Sequence, residues 1–201
     1  QLPASAHLDA ALLAYRHTSL PLFLPFISPE LQARATEVIG AGGHLPFVLG
    51  SAQSRIPCPK HLRLCEPCMT EDLQRFGQSY WHREHQITGV EVCPKHHLPL
   101  SISDLMPHRV FGSQQFGTPH PQQVIGAIEI KSEWMPHLIG LAEDIYWLLN
   151  AETPRPGPHR LHAYYTKRLR ERDFLRPDGS VRLRRLKDAI DGHFGSDLLG
   201  H

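Results

Sequence analysis

The stretch CPKHLRLCEPCMTEDLQRFGQSYWHREHQITGVEVCPKHHLPL, residues 58–100, contains all four cysteines of the 201-residue chain. Cys65 and Cys68 form a C-x-x-C pair, and Cys93 and His96 form a C-x-x-H pair after 24 intervening residues. Two residues between ligands let a tight turn direct both side chains at one ion. The spacing therefore predicts one structural zinc ion held by three thiolates and one imidazole, with no position left for a reactive water.

The spacing leaves two other interpretations of the cysteines open. Free cysteines pack as small hydrophobic residues without any special role. Four cysteines also allow three disulfide connectivities, although neighbours in C-x-x-C bridge mainly in redox motifs. The zinc site is the leading interpretation because it uses both pairs at once.

Cys58 belongs to a second copy of the CPKH motif, at residues 58–61, which repeats residues 93–96. This copy offers a rival set of ligands, and a second site would have to recruit histidines such as His82, His85 or His97. Two full sites cannot be made from four cysteines without such additions. We expect Cys58 not to be a ligand.

Composition is ordinary for a globular protein, with 41% hydrophobic and 20% charged residues in 22.8 kDa. Proline or charge interrupts every apolar stretch before the roughly 18 residues that a membrane-spanning helix needs, so we expect no membrane contact. Metal-bound, reduced cysteines and the lack of a signal peptide predict a cytoplasmic protein.

The net charge of +1 hides a strong asymmetry along the chain. Residues 1–154 contain 10 Lys/Arg and 14 Asp/Glu, whereas residues 155–187 contain 11 and 3. Residues 188–201 contain 3 acidic residues and no Lys or Arg. The basic block is a candidate phosphate-binding face, although a charge run is as often only a solvated helix surface.

Apolar periodicity predicts helices on both sides of a proline-containing segment near the start. Leu8, Leu12 and Leu13 favour a first helix, and Ser28-Pro29 is typical of a helix start, with Gly40 near its end. Between them TSLPLFLPFIS, residues 18–28, predicts an extended buried connection because it contains two prolines. Residues 44–55 predict a loop or a short strand.

Residues 58–102, which contain the predicted ligands, are called the finger here. Inside the finger, Thr70 is expected to cap a short helix over 71–76 that Gly77 ends in the left-handed conformation. Tyr80 and Trp81 are interpreted as the small core of this unit. Two short strands, 89–92 and 98–102, are expected on either side of the second CPKH motif. The result resembles a zinc ribbon or a treble-clef unit.

Beyond the finger, residues 103–131 favour a linker or a long ordered loop that wraps the finger. A helix follows, with an apolar stripe, and the proline-rich ETPRPGPH segment at 152–159 indicates a boundary. The stripe consists of Trp134, Leu138, Leu141, Ile145 and Leu148.

The last part predicts two basic helices joined by a turn at RPDG, residues 176–179, which is helix-turn-helix-like in spacing. Ser180 is expected to cap the second helix, Leu183, Leu186 and Ile190 to form its apolar face, and Phe194–Leu199 to begin a third. The candidate DNA-binding residues are Lys167, Arg168, Arg170, Arg172, Arg182, Arg184, Arg185 and Lys187.

The expected fold is mainly α, with a small zinc-ribbon or treble-clef-like β element and C-terminal helix-turn-helix-like helices. Four parts are predicted: a helical segment at 1–57, the finger at 58–102, a loop and helix packed on the finger at 103–153, and a basic, truncated domain at 154–201.

Specific features of the chain resemble the TniQ/TnsD family of bacterial transposon target-selection proteins, closer to its TnsD branch. They are the C-x-x-C pair, a short acidic helix, an aromatic pair, a His-rich turn and C-P-K-H-x-x-x-L, together with residues 17–28 and 164–199. The resemblance covers most of the chain. It suggests a fragment that lacks the family's first residues and long C-terminal part.

No catalytic constellation is recognisable, since HREH at 82–85 is not the H-E-x-x-H of metalloproteases, and we expect no enzyme. The resemblance implies a protein that binds double-stranded DNA at an insertion site and recruits an AAA+ regulator, which brings the transposase. An adaptor of another class is the alternative, a zinc-stabilised protein-interaction module that serves RNA-guided complexes without contacting DNA.

Overall fold

The computed structural model describes residues 10–41, 59–107, 117–151 and 156–198. Cys58 and the predicted loop at 44–55 lie outside these ranges. The described α-helices are α1 (Ala10–His17), α2 (Leu20–Phe23), α3 (Pro29–Gly40), α4 (Glu66–Phe76), α5 (Met135–Asn150), α6 (Gly157–Glu171) and α7 (Leu183–Phe194). The strands are β1 (Arg63–Leu64), β2 (Ser101–Ser103) and β3 (Val124–Ala127). The prediction of a mainly α fold with a small β element is confirmed.

The proline-containing segment before α3 is helical, so the predicted extended connection is wrong. Pro21 lies in the first turn of α2, and Pro25 in the first turn of a 3₁₀ helix at Leu24–Phe26. Proline is tolerated there because the first turn leaves its N–H groups unpaired in any case. The start of α3 is as predicted, since the Leu31 N–H donates to Ser28 Oγ at 3.4 Å.

Helix α4 is longer than its predicted form and begins directly after Cys65. Proline in the first turn initiates the helix there, and Thr70 is an interior residue whose hydroxyl donates to the Glu66 carbonyl at 3.0 Å. The predicted cap at Thr70 is therefore wrong. The predicted end is confirmed, because Gly77 has a φ of 75° and its N–H donates to the Leu73 carbonyl at 3.0 Å.

The three strands form one antiparallel sheet in the order β1-β2-β3. Chain pairing across the second CPKH motif is confirmed by the bridge between Val92 and Pro99 and by the Cys93 N–H, which donates to the Leu98 carbonyl at 2.9 Å. The strands themselves are shorter than predicted. β3 comes from the segment that was expected to be a loop, and it adds an edge to the finger.

Helix α5 packs directly on the finger, so that one core includes both. That core contains Cys65, Cys68, Val90, Cys93, Leu100, Ala142, Ile145 and Leu149. The predicted stripe is only partly right, because Leu141 is exposed and Ala142 is buried in its place. No observation tests the four-part division of the chain, which stays a prediction.

A β-hairpin connects α6 to α7. The Gly179 N–H donates to the Arg176 carbonyl at 2.9 Å, which confirms the RPDG turn, and Leu175 bridges Val181. The predicted cap at Ser180 is wrong, because the Ser180 hydroxyl donates to Asp178 Oδ1 and α7 begins at residue 183. Residue 194 ends α7, so the predicted third helix does not begin there.

The last two helices contribute few buried side chains. Helix α6 packs on the 3₁₀ helix at Leu24–Phe26, and α7 has no buried residue. Leu183, expected on the apolar face of α7, is 73% exposed. None of the described helices has the length and apolar character needed to cross a membrane.

Candidate metal centre and nucleic-acid interface

Two tight turns carry the four predicted metal ligands. Cys65 follows β1 and is the N-cap residue of α4, and Cys68 lies in the first turn of that helix. Cys93 and His96 lie on the tight turn at residues 93–97, called the knuckle here, which follows the Val92 bridge. A helix start thus faces a tight turn, in line with the small zinc-ribbon or treble-clef-like element that the sequence predicted.

The four donor atoms lie within 4.8 Å of one another and could hold a metal ion. His96 Nδ1 lies 3.4 Å from Cys65 Sγ and 3.3 Å from Cys68 Sγ, and the Sγ atoms of Cys68 and Cys93 are 3.6 Å apart. Bonds of about 2.3 Å from a tetrahedral zinc place two thiolates about 3.8 Å apart. The spacing of the donors therefore fits one zinc-sized ion.

The knuckle is held by its own backbone. The His97 N–H donates to the Cys93 carbonyl at 2.9 Å, and the His96 N–H donates to Cys93 Sγ at 3.4 Å. His97 has a φ of 54°, in the left-handed region that few non-glycine residues adopt. This turn directs the sulfur and the imidazole to the same side.

The three buried thiols of the cluster strongly perturb one another's pKa because their sulfur atoms lie within hydrogen-bond distance. The thiols of Cys65 and Cys93 together with burial raise the pKa of Cys68, whereas the hydrogen bonds from Cys65 and Cys68 lower the pKa of Cys93. One thiolate is thus favoured, and further thiolates need a cation among them. The N-terminus of α4 supplies part of that positive potential.

Glu71 orients the imidazole from outside the cluster. His96 Nε2 lies 3.1 Å from Glu71 Oε1, and the same carboxylate pairs with Lys95. A carboxylate at Nε2 favours a proton on that nitrogen and leaves Nδ1 as the ligand atom. Spacing did not reveal Glu71, although its place three residues after Cys68 puts it on the same face of α4.

A stack of three rings leads from the surface to the cluster. The Tyr80 and His82 rings are 4.3 Å apart, and the His82 and His85 rings are 5.0 Å apart. His85 is buried, and its side chain contributes to the lowered pKa of Cys93. Tyr80 is 48% exposed, so the prediction that it forms the finger's core is wrong. Trp81 is half-buried and donates from Nε1 to the Gly117 carbonyl at 2.8 Å.

His82 is held between two carboxylates, with Nε2 2.9 Å from Asp72 Oδ2 and Nδ1 3.2 Å from Glu84 Oε1. Burial lowers the pKa of His82, but the hydrogen bonds to Glu84 and Asp72 outweigh it, so that the pKa is raised. The raised pKa means that the protonated imidazole pairs more favourably with these two acids than the neutral one.

Arg83 joins the finger to the helices around it. Its guanidinium donates to the carbonyl oxygens of Tyr15, Thr18 and Leu149 at 2.7, 2.9 and 2.6 Å, and to Asn150 Oδ1 at 3.2 Å. These acceptors lie at the C-terminal ends of α1 and α5, where helix dipoles favour a cation. Sequence reasoning did not identify this contact, because the acceptors are backbone atoms far away in the chain.

The eight predicted DNA-binding residues all lie on α6, α7 and their connection, but many are paired. Glu171 lies 3.9 Å from Lys167 and 3.2 Å from Arg168, while Asp191 pairs with Lys187. Asp173 pairs with Arg185 and lies 3.7 Å from Arg182.

The remaining candidates, Arg170, Arg172 and Arg184, are exposed. Within the part of the chain that the structure describes, no ion pair involves them. They are therefore the cations most available to an external anion.

The comparisons with known proteins cover the segment that contains the four donors and the helices before it. The TniQ family profile matches residues 1–100, which include α1 to α4 and all four donors of the cluster. The transposition protein TnsD of transposon Tn7, from Escherichia coli, is 34% identical over 86 residues. The chain is a TniQ/TnsD-like protein. The resemblance found in the sequence is thus confirmed.

The extent of these matches is limited. The aligned region is 42% of this TniQ/TnsD-like chain and 17% of the Tn7 TnsD protein. The basic residues of α6 and α7 lie beyond residue 100, outside the family profile. The matches therefore do not indicate the role of these two helices.

Proposed function

We propose that this protein selects the insertion site of a transposon by binding double-stranded DNA. The similarity to TnsD carries the proposal, and the charge distribution supports it. Residues 155–187 hold 11 Lys/Arg against 3 Asp/Glu, more than half of the chain's basic residues. Bound phosphates release counterions, so such a block favours DNA at low salt.

In this proposal a single structural zinc ion fixes the finger. Cys65, Cys68, Cys93 and His96 hold it, and their mutual distances and burial support that assignment. Three thiolates with one imidazole are a donor set typical of structural zinc. The ion stabilises the scaffold and performs no reaction.

The partners follow from the same proposal. DNA binding by α6 and α7 leaves the acidic part of the chain, residues 1–154, to contact an AAA+ regulator, which in turn brings the transposase. The site of action is the bacterial cytoplasm, at the nucleoid. A pull-down between this protein and an AAA+ transposition regulator tests the protein contact directly.

A salt series of DNA binding tests the proposal. Fluorescence anisotropy with a duplex of the native flanking DNA should give an affinity that falls steeply between 50 and 200 mM salt, since each neutralised phosphate adds about 0.9 to the slope of log affinity against log salt. A scrambled duplex of equal length measures specificity. No binding to either duplex at 50 mM salt would contradict DNA recognition by this chain.

The adaptor alternative has one observation in its favour. Lys167, Arg168, Arg185 and Lys187 are paired with carboxylates of the same chain, as expected of a solvated surface. If both duplexes fail to bind while the ATPase is still captured, the protein connects other components to the transposition machinery.

A further inference from the structure

A cleft of about 290 Å³ lies beside the hairpin between α6 and α7. Its lining includes three arginines from three different positions: Arg170 on α6, Arg176 at the start of the turn, and Arg182 directly before α7. Neither spacing nor family resemblance pointed to Arg176. We propose that these three guanidinium groups form a binding site for a phosphate group.

The local charge balance favours an anion. Asp173 is the acidic residue in the lining, and it is already paired with Arg185, which lies outside the cleft. Arg182 lies 3.7 Å from the same carboxylate. Asp178, which lies in the sequence between two lining residues, interacts electrostatically with Arg176, and no ion pair among the described residues involves Arg170. Three arginines thus meet two carboxylates, one of which is already paired with Arg185. The cleft therefore keeps an excess of positive charge that a phosphate can neutralise.

The hairpin fixes two of the three arginines. Arg176 donates from Nη1 to Ser180 Oγ at 3.2 Å, and Arg182 donates from Nε to the Leu175 carbonyl at 3.1 Å. Such anchors leave other guanidinium N–H groups for a ligand. Because guanidinium binds phosphate oxygens through paired N–H groups, anchored arginines lose less entropy on binding than free ones.

The turn itself is well defined. Asp178 Oδ1 accepts hydrogen bonds from the Ser180 N–H at 2.9 Å and from the Ser180 hydroxyl at 2.7 Å, and Gly179 has a φ of 84°. The left-handed conformation at Gly179 turns the chain back toward Arg182. The hairpin thus brings Arg176 and Arg182 into the lining of a cleft that also includes Arg170 of α6.

The proposed function identifies the ligand as a phosphate of the DNA backbone, and this identification rests on that function. A free phosphate ion or the phosphate of a nucleotide has the same chemistry. The experiment must therefore test two things separately: whether the cleft binds phosphate, and whether that phosphate belongs to DNA or to a small molecule.

Inorganic phosphate is the probe, titrated at constant ionic strength into the full, zinc-loaded, ¹⁵N-labelled chain. We expect saturable shifts at the Gly179 amide and at the Nε–H signals of Arg170, Arg176 and Arg182. Arg176→Gln should weaken phosphate binding at least tenfold. Arg160→Gln, on α6 but outside the cleft, removes the same charge and should change it less than twofold.

A DNA duplex added to the phosphate-bound protein identifies the source. Displacement of phosphate from the cleft assigns the site to the DNA backbone, and retention with DNA bound elsewhere assigns it to a free phosphate or nucleotide. Arg170→Gln gives a second test if Arg176→Gln fails to fold by circular dichroism.

Two results would overturn the site: no saturable shift at the cleft residues, or equal losses for the Arg160 and Arg176 variants. A saturable phosphate site in a chain that binds no DNA would contradict the proposed function and leave the site standing.

Discussion

His96 uses its two ring nitrogens for different partners. Nδ1 faces the sulfurs of Cys65 and Cys68, and Nε2 faces Glu71. The sequence predicted the four members of this cluster because each pair is local, two residues apart on one turn. It could not predict Glu71 or His85, because their contact with the cluster depends on how α4 and the knuckle pack together.

Exchange of single cysteines tests the ligand set. Cys68→Ser should lose the metal, because serine is a poor zinc ligand and the remaining three donors leave the ion open. Cys58→Ser should retain close to one equivalent, since Cys58 is not expected to bind. Elemental analysis of the purified variants measures both. The reverse pattern would assign the ion to the first CPKH copy.

His82 predicts a pH dependence of stability. Its folded pKa is raised by Glu84 and Asp72 against the effect of burial, so its stabilising contribution is complete below the unfolded pKa of about 6.5. That contribution is lost as the pH rises through the higher folded pKa. His82→Gln should therefore reduce the free energy of unfolding more at pH 6 than at pH 8, as measured by urea denaturation of both proteins.

An equal reduction at both pH values would show that His82 acts through packing on Tyr80 and His85 and not through its charge. Zinc must be kept in excess at each pH, because metal binding to thiolates is itself pH-dependent.

Among the elements, those with a strong local signal were predicted best. The start of α3, the Gly77 end of α4 and the presence of a helix at α5 follow from caps and apolar periodicity. Pro21 of α2 and Pro25 of the following 3₁₀ helix were misinterpreted, because proline is compatible with a first helical turn. Strand β3 was missed because its partner, β2, comes from another part of the chain, and the sequence of β3 alone does not show this pairing.

Among the contacts between elements, the hydrogen bonds of Arg83 should contribute most to the free energy of unfolding. Arg83→Gln should lower the free energy of unfolding by about 3 kcal/mol, since hydrogen bonds to a charged group contribute about 1.5–3 kcal/mol each and partly buried carbonyls lose their partner. Arg83→Lys should recover part of the loss, because an ammonium reaches fewer acceptors. Chemical denaturation of the zinc-loaded proteins gives these values.

The exposed Arg34 on α3 provides the matched control. Arg34→Gln removes the same charge and should change the free energy of unfolding by less than about 0.5 kcal/mol. Equal effects of the two substitutions would mean that Arg83 does not connect α1 and α5 to the finger.

At the scale of the whole molecule, charge divides the chain into an acidic and a basic part. The acidic part includes the finger and α5, which share one core, while the basic part is α6, the hairpin and α7. Composition predicted this charge asymmetry. It could not predict that Arg63 and Arg83 would be used inside the protein, with Arg63 buried and Arg83 bonded to backbone carbonyls.

A chain that ends at Asn150 tests which part binds DNA. It lacks α6 and α7 and keeps the metal cluster, so it should bind zinc but bind DNA far more weakly than the full chain, because the acidic part repels phosphates. Anisotropy at 50 mM salt measures the difference, with zinc content and circular dichroism as controls. Equal binding would move the DNA contact to the finger, where Lys60 is exposed.

Arg184 and Arg185 of α7 test the DNA contact most directly, because their surroundings differ. Arg184 is exposed without an ion pair in the described part of the chain, whereas Arg185 pairs with Asp173. If each contacts a phosphate, replacing both by alanine should lower affinity at low salt and flatten the salt slope by up to about two. Arg184→Ala alone should account for about 0.9 of this change.

Arg185→Ala should flatten the slope less than Arg184→Ala, since Asp173 already neutralises part of the Arg185 charge. Unchanged affinity and slope in the double variant would identify α7 as a solvated surface and remove it from the DNA interface. Lost affinity at an unchanged slope would indicate contacts to base edges, provided that circular dichroism shows the variant to be folded, since such contacts release no counterions.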